Sequence, residues 1–214
     1  MKRIIYVCFI AMLLSSCTTS DNNQDLDSNF YALTVGNQWH YRWYSVNNEG
    51  VESPRDVQES ISIVGTEEIN GSIYYRFNRI ISGNENGNYL FAPENGEHFE
   101  YYRDSLGYLV NQDGYIKFSN NSDEPFFIGS IDISEFEVTM LGELQSENLF
   151  YSTEAGSFDC LEVIATYTRE DGYIYLATNN SYYSDGIGLI KDEQVLLASE
   201  NAGYLRKLIS YNVQ

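Results

Sequence analysis

From Trp39 onward, apolar and polar residues alternate with a period of two, and helical periodicity is scarce. The first such stretch, Trp39-His40-Tyr41-Arg42-Trp43-Tyr44, puts Trp39, Tyr41 and Trp43 on one face of a strand and His40, Arg42 and Tyr44 on the other. Strands are predicted next over Val57 to Val64 and Ile73 to Ile81, with Asn70-Gly71 between them favouring the left-handed dihedrals of a tight hairpin turn. Phe99 to Arg103, Tyr108 to Val110 and Tyr115 to Phe118 follow, then Phe136 to Leu144, Leu149 to Ser152, Phe158 to Tyr167 and Tyr173 to Thr178. The last group is Tyr182-Tyr183, Gly188 to Lys191, Gln194 to Ala198 and Tyr204 to Val213. Glu170-Asp171-Gly172 is a second hairpin signal, and Asp192 to Asn201 is irregular enough for a short helix to be the alternative. Pro54, Pro93 and Pro125 each stand in a polar or charged stretch that reads as loop. The spacing predicts an all-β fold: a single antiparallel meander of hairpins forming a strongly curved sheet or open barrel.

The beginning of the chain follows a different pattern. Lys2 and Arg3 precede an uncharged apolar run, Ile4 to Leu14, which falls short of the roughly 20 apolar residues that span a bilayer and reads as the core of a secretory signal. Leu14-Ser15-Ser16-Cys17 resembles the lipobox of bacterial lipoproteins. The resemblance implies cleavage between Ser16 and Cys17 and lipid, with acyl chains such as palmitate, on the Cys17 thiol. The expected organisation is a signal peptide at 1–16, a lipidated N-terminus and flexible tether at 17–29, and one β-domain at 30–214. The polar tether, by random-coil scaling, reaches roughly 20 Å. Asp21, Asp25 and Asp27 loosely resemble the acidic export signal of some surface lipoproteins, so the outer-membrane anchor leaves the domain facing either the periplasm or the cell surface.

Charge and cysteine usage narrow the partners. The chain carries 12 basic and 31 acidic residues; losing Lys2 and Arg3 with the signal leaves 10 against 31, or −21. Such a surface repels nucleic acid and anionic lipid heads, so membrane association rests on the lipid at Cys17. Cys8 leaves with the signal and Cys17 is acylated, so Cys160 has no partner for an internal disulfide. Its alternating surroundings, Phe158-Asp159-Cys160-Leu161, predict a partly buried, unreactive thiol.

Signatures of chemistry are few. There is no His-Glu-x-x-His, Gly-x-Ser-x-Gly, Cys-x-x-Cys or phosphate-cradling glycine loop, and neither a catalytic residue nor a cofactor is predicted. Glu97-His98-Phe99-Glu100 offers His98 and Glu100 on one strand face, too few ligands for a metal site, and Asp25-Leu26-Asp27-Ser28-Asn29 lacks the turn glycine and closing glutamate of a calcium loop. The surplus lies in tyrosine. Tyr74-Tyr75, Tyr101-Tyr102 and Tyr182-Tyr183 each place one ring on either face of a strand. They either line a groove for an apolar or sugar ligand or stabilise the sheet as cross-strand aromatic pairs.

Three islands carry a wider resemblance: Leu33 to Tyr41 (LTVGNQWHY), Ala155 to Leu161 (AGSFDCL) and Tyr183 to Lys191 (YSDGIGLIK), closed by Leu208-Ile209-Ser210-Tyr211. In this order they resemble a group of uncharacterised secreted and lipid-anchored envelope proteins. The resemblance implies a curved antiparallel sheet similar in shape to periplasmic lipoprotein carriers, and no catalytic residue to carry over. The expectation is a non-enzymatic envelope lipoprotein that binds or supports a protein, a glycan or an apolar ligand; the enzymatic alternative is a hydrolase using two of the 31 acidic residues as paired carboxylates. Replacing Cys17 with serine is expected to block lipid attachment and leave an uncleaved precursor; metabolic labelling with a fatty-acid analogue checks it, and equal label on Cys17→Ser contradicts it.

Overall fold

The computed structural model describes residues 29–85, 92–120, 124–133, 135–145, 148–197 and 203–214. The signal segment, Cys17 and the tether as far as residue 28 lie outside the described residues. The strands are β1 (Gln38–Val46), β2 (Glu52–Ile69), β3 (Ser72–Ser82), β4 (Gly96–Ser105), β5 (Tyr108–Asn111), β6 (Ile116–Ser119) and β7 (Phe126–Ile133). They continue with β8 (Phe136–Leu144), β9 (Leu149–Thr153), β10 (Gly156–Arg169), β11 (Ile174–Ser184), β12 (Gly188–Val195) and β13 (Gly203–Asn212). All pair antiparallel in the order β6-β5-β4-β3-β2-β1-β13-β12-β11-β10-β8-β7, with β9 paired to β10 off this path. Apart from the β1–β13 pairing, which joins the two ends of the chain, and the β8–β10 step, each strand lies beside its neighbour in sequence, so the predicted meander is what forms.

The sheet curls until its two edges meet. Among the described residues no ladder joins β6 to β7; aromatic side chains close the seam instead. Tyr108 meets Phe126 edge-on at 6.2 Å, Tyr115 lies 5.8 Å from Phe127, and Phe126 shares a buried cluster with Leu109 and Phe118. Gly142 makes this packing possible, because a Cβ there would sit 2.7 Å from the Phe126 ring. The segment before β1 packs against the cluster at the seam: Phe30 and Tyr31 lie on Phe118 at 5.9 and 6.0 Å. The fully buried Asn37 pins that segment, donating to the Ala32 carbonyl at 2.8 Å and accepting from the Gln214 backbone N–H at 3.0 Å.

β1 obeys its alternation. Trp39, Tyr41 and Trp43 are buried, at 4, 2 and 2% exposure, while His40 stays exposed and Arg42 and Tyr44 lie partly buried on the other face. The turn at Asn70-Gly71 has φ of +51° and +79°, the paired left-handed dihedrals its sequence calls for. Tyr182 and Tyr183 are adjacent, point to opposite faces and are nevertheless both buried. The reason is the β9–β10 hairpin, which covers the outside of the sheet: Tyr151 stacks on Tyr182 at 5.5 Å, Phe158 meets Tyr211 at 6.0 Å, and Arg42 bridges to Glu154 at 2.9 Å. Cys160 belongs to this hairpin, on β10 opposite Leu149, and is buried, with its thiol pushed up to about 11 by burial and by the Asp159 charge.

Several expectations need correction. Pro54 lies within β2, opposite Tyr44 beside the β1–β2 bulge, where β3 has not yet begun to pair at Gln58. Its missing N–H therefore falls at a local edge. The predicted strands Tyr173 to Thr178 and Tyr182-Tyr183 merge into one, β11, which begins at Ile174 with Tyr173 just before it, and Tyr115 precedes β6 rather than opening it. Gly188 to Lys191 and the first part of Gln194 to Ala198 likewise merge into β12, so the short-helix alternative fails through Val195; residues 198–201 lie outside the described residues. β7 was not predicted, because a bulge between Phe127 and Gly129 breaks its alternation.

Large-to-small replacement of a buried tryptophan leaves a cavity, so Trp39→Ala and Trp43→Ala are each expected to cost about 3–5 kcal/mol. His40→Ala and Arg42→Ala should each cost under about 1 kcal/mol. Urea titrations of the four variants check this; near-native midpoints for both tryptophan variants contradict the core assignment.

Candidate functional site

The inner face of the sheet carries charge as well as apolar side chains. Glu59 is its centre. It stands on β2 in the same alternation as Val57, Ile61 and Ile63, and its carboxylate is fully buried. Oε1 takes Arg206 Nη1 at 2.5 Å and Arg79 Nε at 2.6 Å; Oε2 accepts from Arg79 Nη2 at 3.0 Å and from the Trp43 indole N–H at 3.1 Å. Each guanidinium then reaches a second carboxylate, Arg79 to Glu100 at 2.9 Å and Arg206 to Asp192 at 3.1 Å. Hydroxyls end the chain, Tyr102 donating to Glu100 at 3.0 Å and Ser181 to Asp192 at 3.3 Å. The belt so formed runs Tyr102–Glu100–Arg79–Glu59–Arg206–Asp192–Ser181 and crosses every strand from β4 through β1 to β11.

Register places these groups. Ser181 pairs opposite Asp192, Asp192 opposite Arg206, Arg206 opposite Trp43 and Tyr41 opposite Glu59. The Arg206 guanidinium also lies over the Tyr41 ring at 5.3 Å and near Trp43 at 5.9 Å, contacts that favour a desolvated cation. Burial disfavours the Arg206 cation, but Glu59 and Asp192 outweigh it and hold the group charged. Burial likewise pushes Glu100 up, and the charges of Arg79, Lys117 and Arg206 more than reverse this, so its carboxyl titrates below the usual range.

Against the belt lies a cavity of about 340 Å³, at the lower end of the roughly 300–1,000 Å³ typical of small-molecule sites. The rest of its wall is aromatic and aliphatic: Trp39, Phe77 and Tyr183 with Leu109, Val163 and Ala165. Exposed Lys117 on β6 and Ile128 on β7 bring both edges of the seam to the same space. Of the six tyrosines singled out by their pairing, Tyr102 and Tyr183 line this cavity. Tyr75 packs against the main core, Tyr74 is buried beneath Arg103, Tyr101 is half-buried, and Tyr182 lies on the outer side beneath the β9–β10 hairpin. His98 bonds the Glu94 carbonyl while Glu100 joins the belt, so the two are not brought together as ligands. The belt itself escaped sequence reading. Its signal was a charge at a core-parity position, Glu59 among Val57, Ile61 and Ile63.

No protein-family model matches the chain, and no curated protein matches it. Solved structures similar in shape include a Bacteroides fragilis protein assigned as exported, with a YmcC-like fold, at 12% identity and a TM-score of 0.47. A protein from Parabacteroides distasonis assigned as a lipoprotein follows at 14% identity and a TM-score of 0.45. Both alignments cover 86% of this chain and 99% of the other. A DUF1329 family protein from Desulfovibrio piger has 11% identity and a TM-score of 0.26, with 86% of this chain and 88% of that one covered.

Removing the centre of the belt leaves two buried guanidiniums without their shared partner. Glu59→Leu is therefore expected to cost about 3–5 kcal/mol, read from urea midpoints. The pH dependence has two limbs. Glu100 titrates lower in the fold than unfolded, so its contribution is present above its unfolded value, near 4.3, and is lost as pH falls below that. Tyr41, Tyr102 and Tyr183 are raised by burial, so theirs is present below about 10 and is lost as pH rises beyond it. A stability plateau from roughly pH 5 to 9 is expected, and Glu100→Gln should make the acid limb shallower; an unchanged acid limb contradicts the assignment.

Proposed function

We propose that this chain is an exported, lipid-anchored envelope protein that binds a small molecule inside its curled sheet and does not transform it. The observation that carries this reading is the cavity: an aromatic-walled space of about 340 Å³ bounded on one side by charges that are already paired. The anchor rests on the signal-like Ile4 to Leu14 run and the Leu14-Ser15-Ser16-Cys17 motif, and it places the domain at the outer membrane, facing either the periplasm or the surface.

The chemistry of the wall supports binding over catalysis. Glu59, Glu100 and Asp192 are the carboxylates in a position to do acid–base work, and each is committed to a guanidinium. General acids and bases work best with pKa values near the operating pH, whereas the arginine charges hold Glu100 below its ordinary carboxylate range. Nor does the wall suit a long acyl chain, whose methylenes would lie against Arg79, Glu100 and Asp192 with no hydrogen bonds to offer.

The test is a thermal-shift panel of small aromatic compounds of each charge, run on the mature domain and on Ala165→Phe. The variant puts a ring into the cavity from a wall residue. A ligand at a hundredfold excess over its Kd should raise the melting temperature of the natural sequence by roughly 5–10 °C. The expected result is at least one compound that does so and loses its effect in the variant. A panel with no hits, or with hits indifferent to Ala165→Phe, rejects a cavity ligand.

A further inference from the structure

The belt does not balance. Glu59, Glu100 and Asp192 bring three carboxylates to it while Arg79 and Arg206 bring two cations, which leaves an excess of one negative charge. Sharing hides the imbalance, because both guanidiniums converge on Glu59 before each takes one of the outer carboxylates. Those outer two, Glu100 and Asp192, line the cavity. Glu100 meets Arg79 through Oε1 and Tyr102 through Oε2; Asp192 meets Ser181 through Oδ1 and Arg206 through Oδ2. A carboxylate oxygen has about two acceptor positions, so both groups can take a further donor. The guanidiniums offer no matching opening. The Nε groups of Arg79 and Arg206 make no aligned hydrogen bond, but both are sealed from solvent, so an occupant of the cavity cannot reach them.

Rings stand beside the exposed side of this charge. Tyr102, which bonds Glu100, meets Phe77 edge-on at 5.3 Å, and Phe77 stacks on Trp39 at 6.3 Å. All three line the cavity. Aromatic faces attract cations through the ring quadrupole, and more strongly where water is excluded. At longer range the chain, with 31 acidic residues against 12 basic ones, draws cations and repels anions.

We propose that the cavity holds a compact organic cation, an ammonium group on an apolar body, with its charge set between Glu100 and the rings of Trp39, Phe77 and Tyr102. The proposal deepens the small-molecule reading above and rests on it. A protonated amine supplies both things the wall lacks: a positive charge for the belt and N–H donors for the spare acceptor positions of Glu100. An anion would face the same two carboxylates, with each guanidinium already divided between two of them. A neutral occupant would leave the excess charge uncompensated. Lys117 also lines the cavity, but it is exposed on β6, where water and salt screen its charge.

The experiment titrates three probes that share one ring system into the mature domain by calorimetry: 1-naphthylmethylammonium, 1-naphthylmethanol and 1-naphthoate. The ammonium is expected to bind at one site, at least roughly tenfold tighter than the alcohol or the carboxylate. Glu100→Gln balances the belt at two against two, so it should weaken the ammonium by about tenfold and leave the alcohol unchanged. Lys117→Met changes an exposed residue and removes the opposing charge, so it should tighten the ammonium roughly two- to threefold. Ala165→Phe should abolish binding of all three.

The sign of the Lys117→Met effect keeps the test open should Glu100→Gln fail to fold. Weaker or unchanged ammonium binding in Lys117→Met overturns the charge assignment. Naphthoate or the alcohol binding as tightly as the ammonium, at a site blocked by Ala165→Phe, overturns the cation class and leaves small-molecule binding standing. If none of the three binds, the proposal falls, and the thermal-shift panel decides the broader reading separately.

Discussion

Everything inside this protein is arranged around one carboxylate that two guanidiniums share. Glu59 is fully buried, and each of its oxygens meets nitrogen donors from other strands at 2.5 to 3.1 Å. A charge so placed is costly unless paired and hydrogen-bonded, and here both conditions are met. Replacing buried ion pairs by apolar groups of similar volume is often neutral or stabilising, so net stability is a weak account of this belt. Its contribution lies in register. A slip of one residue between β1 and β2 or between β12 and β13 would turn Glu59 or Arg206 to the outer face and strand its partners. A meander of long, tyrosine-rich strands has many nearly equivalent pairings, and the belt selects one across seven neighbouring strands.

The same belt explains why the interior is not simply filled. Arginine and glutamate side chains extended across the inner face, together with rings from β1, β3, β4 and β11, leave space that no aliphatic core residue occupies. The edges β6 and β7 then close that space through aromatic contacts rather than a ladder. On the function proposed above, a cavity bounded by paired charges on one wall and rings on the others would select its occupant chiefly by shape.

How much of this was legible beforehand depends on how local each signal was. Trp39, Tyr41 and Trp43 reveal their burial through alternation alone, and Asn70-Gly71 reveals its turn through the dihedrals it tolerates. The curved meander follows from the spacing of such local signals. β7 was lost because its bulge destroys the alternation, and Pro54 misled because only the pairing partners show that it sits at a local edge. The tyrosine pairs were ambiguous in principle. Tyr182 is buried by a hairpin that folds back over the outside of the sheet, and Tyr183 faces a space that exists only once β6 meets β7. Glu59 was different: its parity with Val57, Ile61 and Ile63 was visible, but a charge within a strand reads by default as solvent-facing.

A double-mutant cycle between Glu59 and Arg206 tests the central claim most directly, with each residue changed to leucine singly and together and stability read in urea. If the belt acts as one interaction, leucine at both positions should destabilise far less than the two single changes added, with a coupling of about 1.5 kcal/mol or more. Additivity within about 0.5 kcal/mol would show that the two residues act independently and would contradict the account.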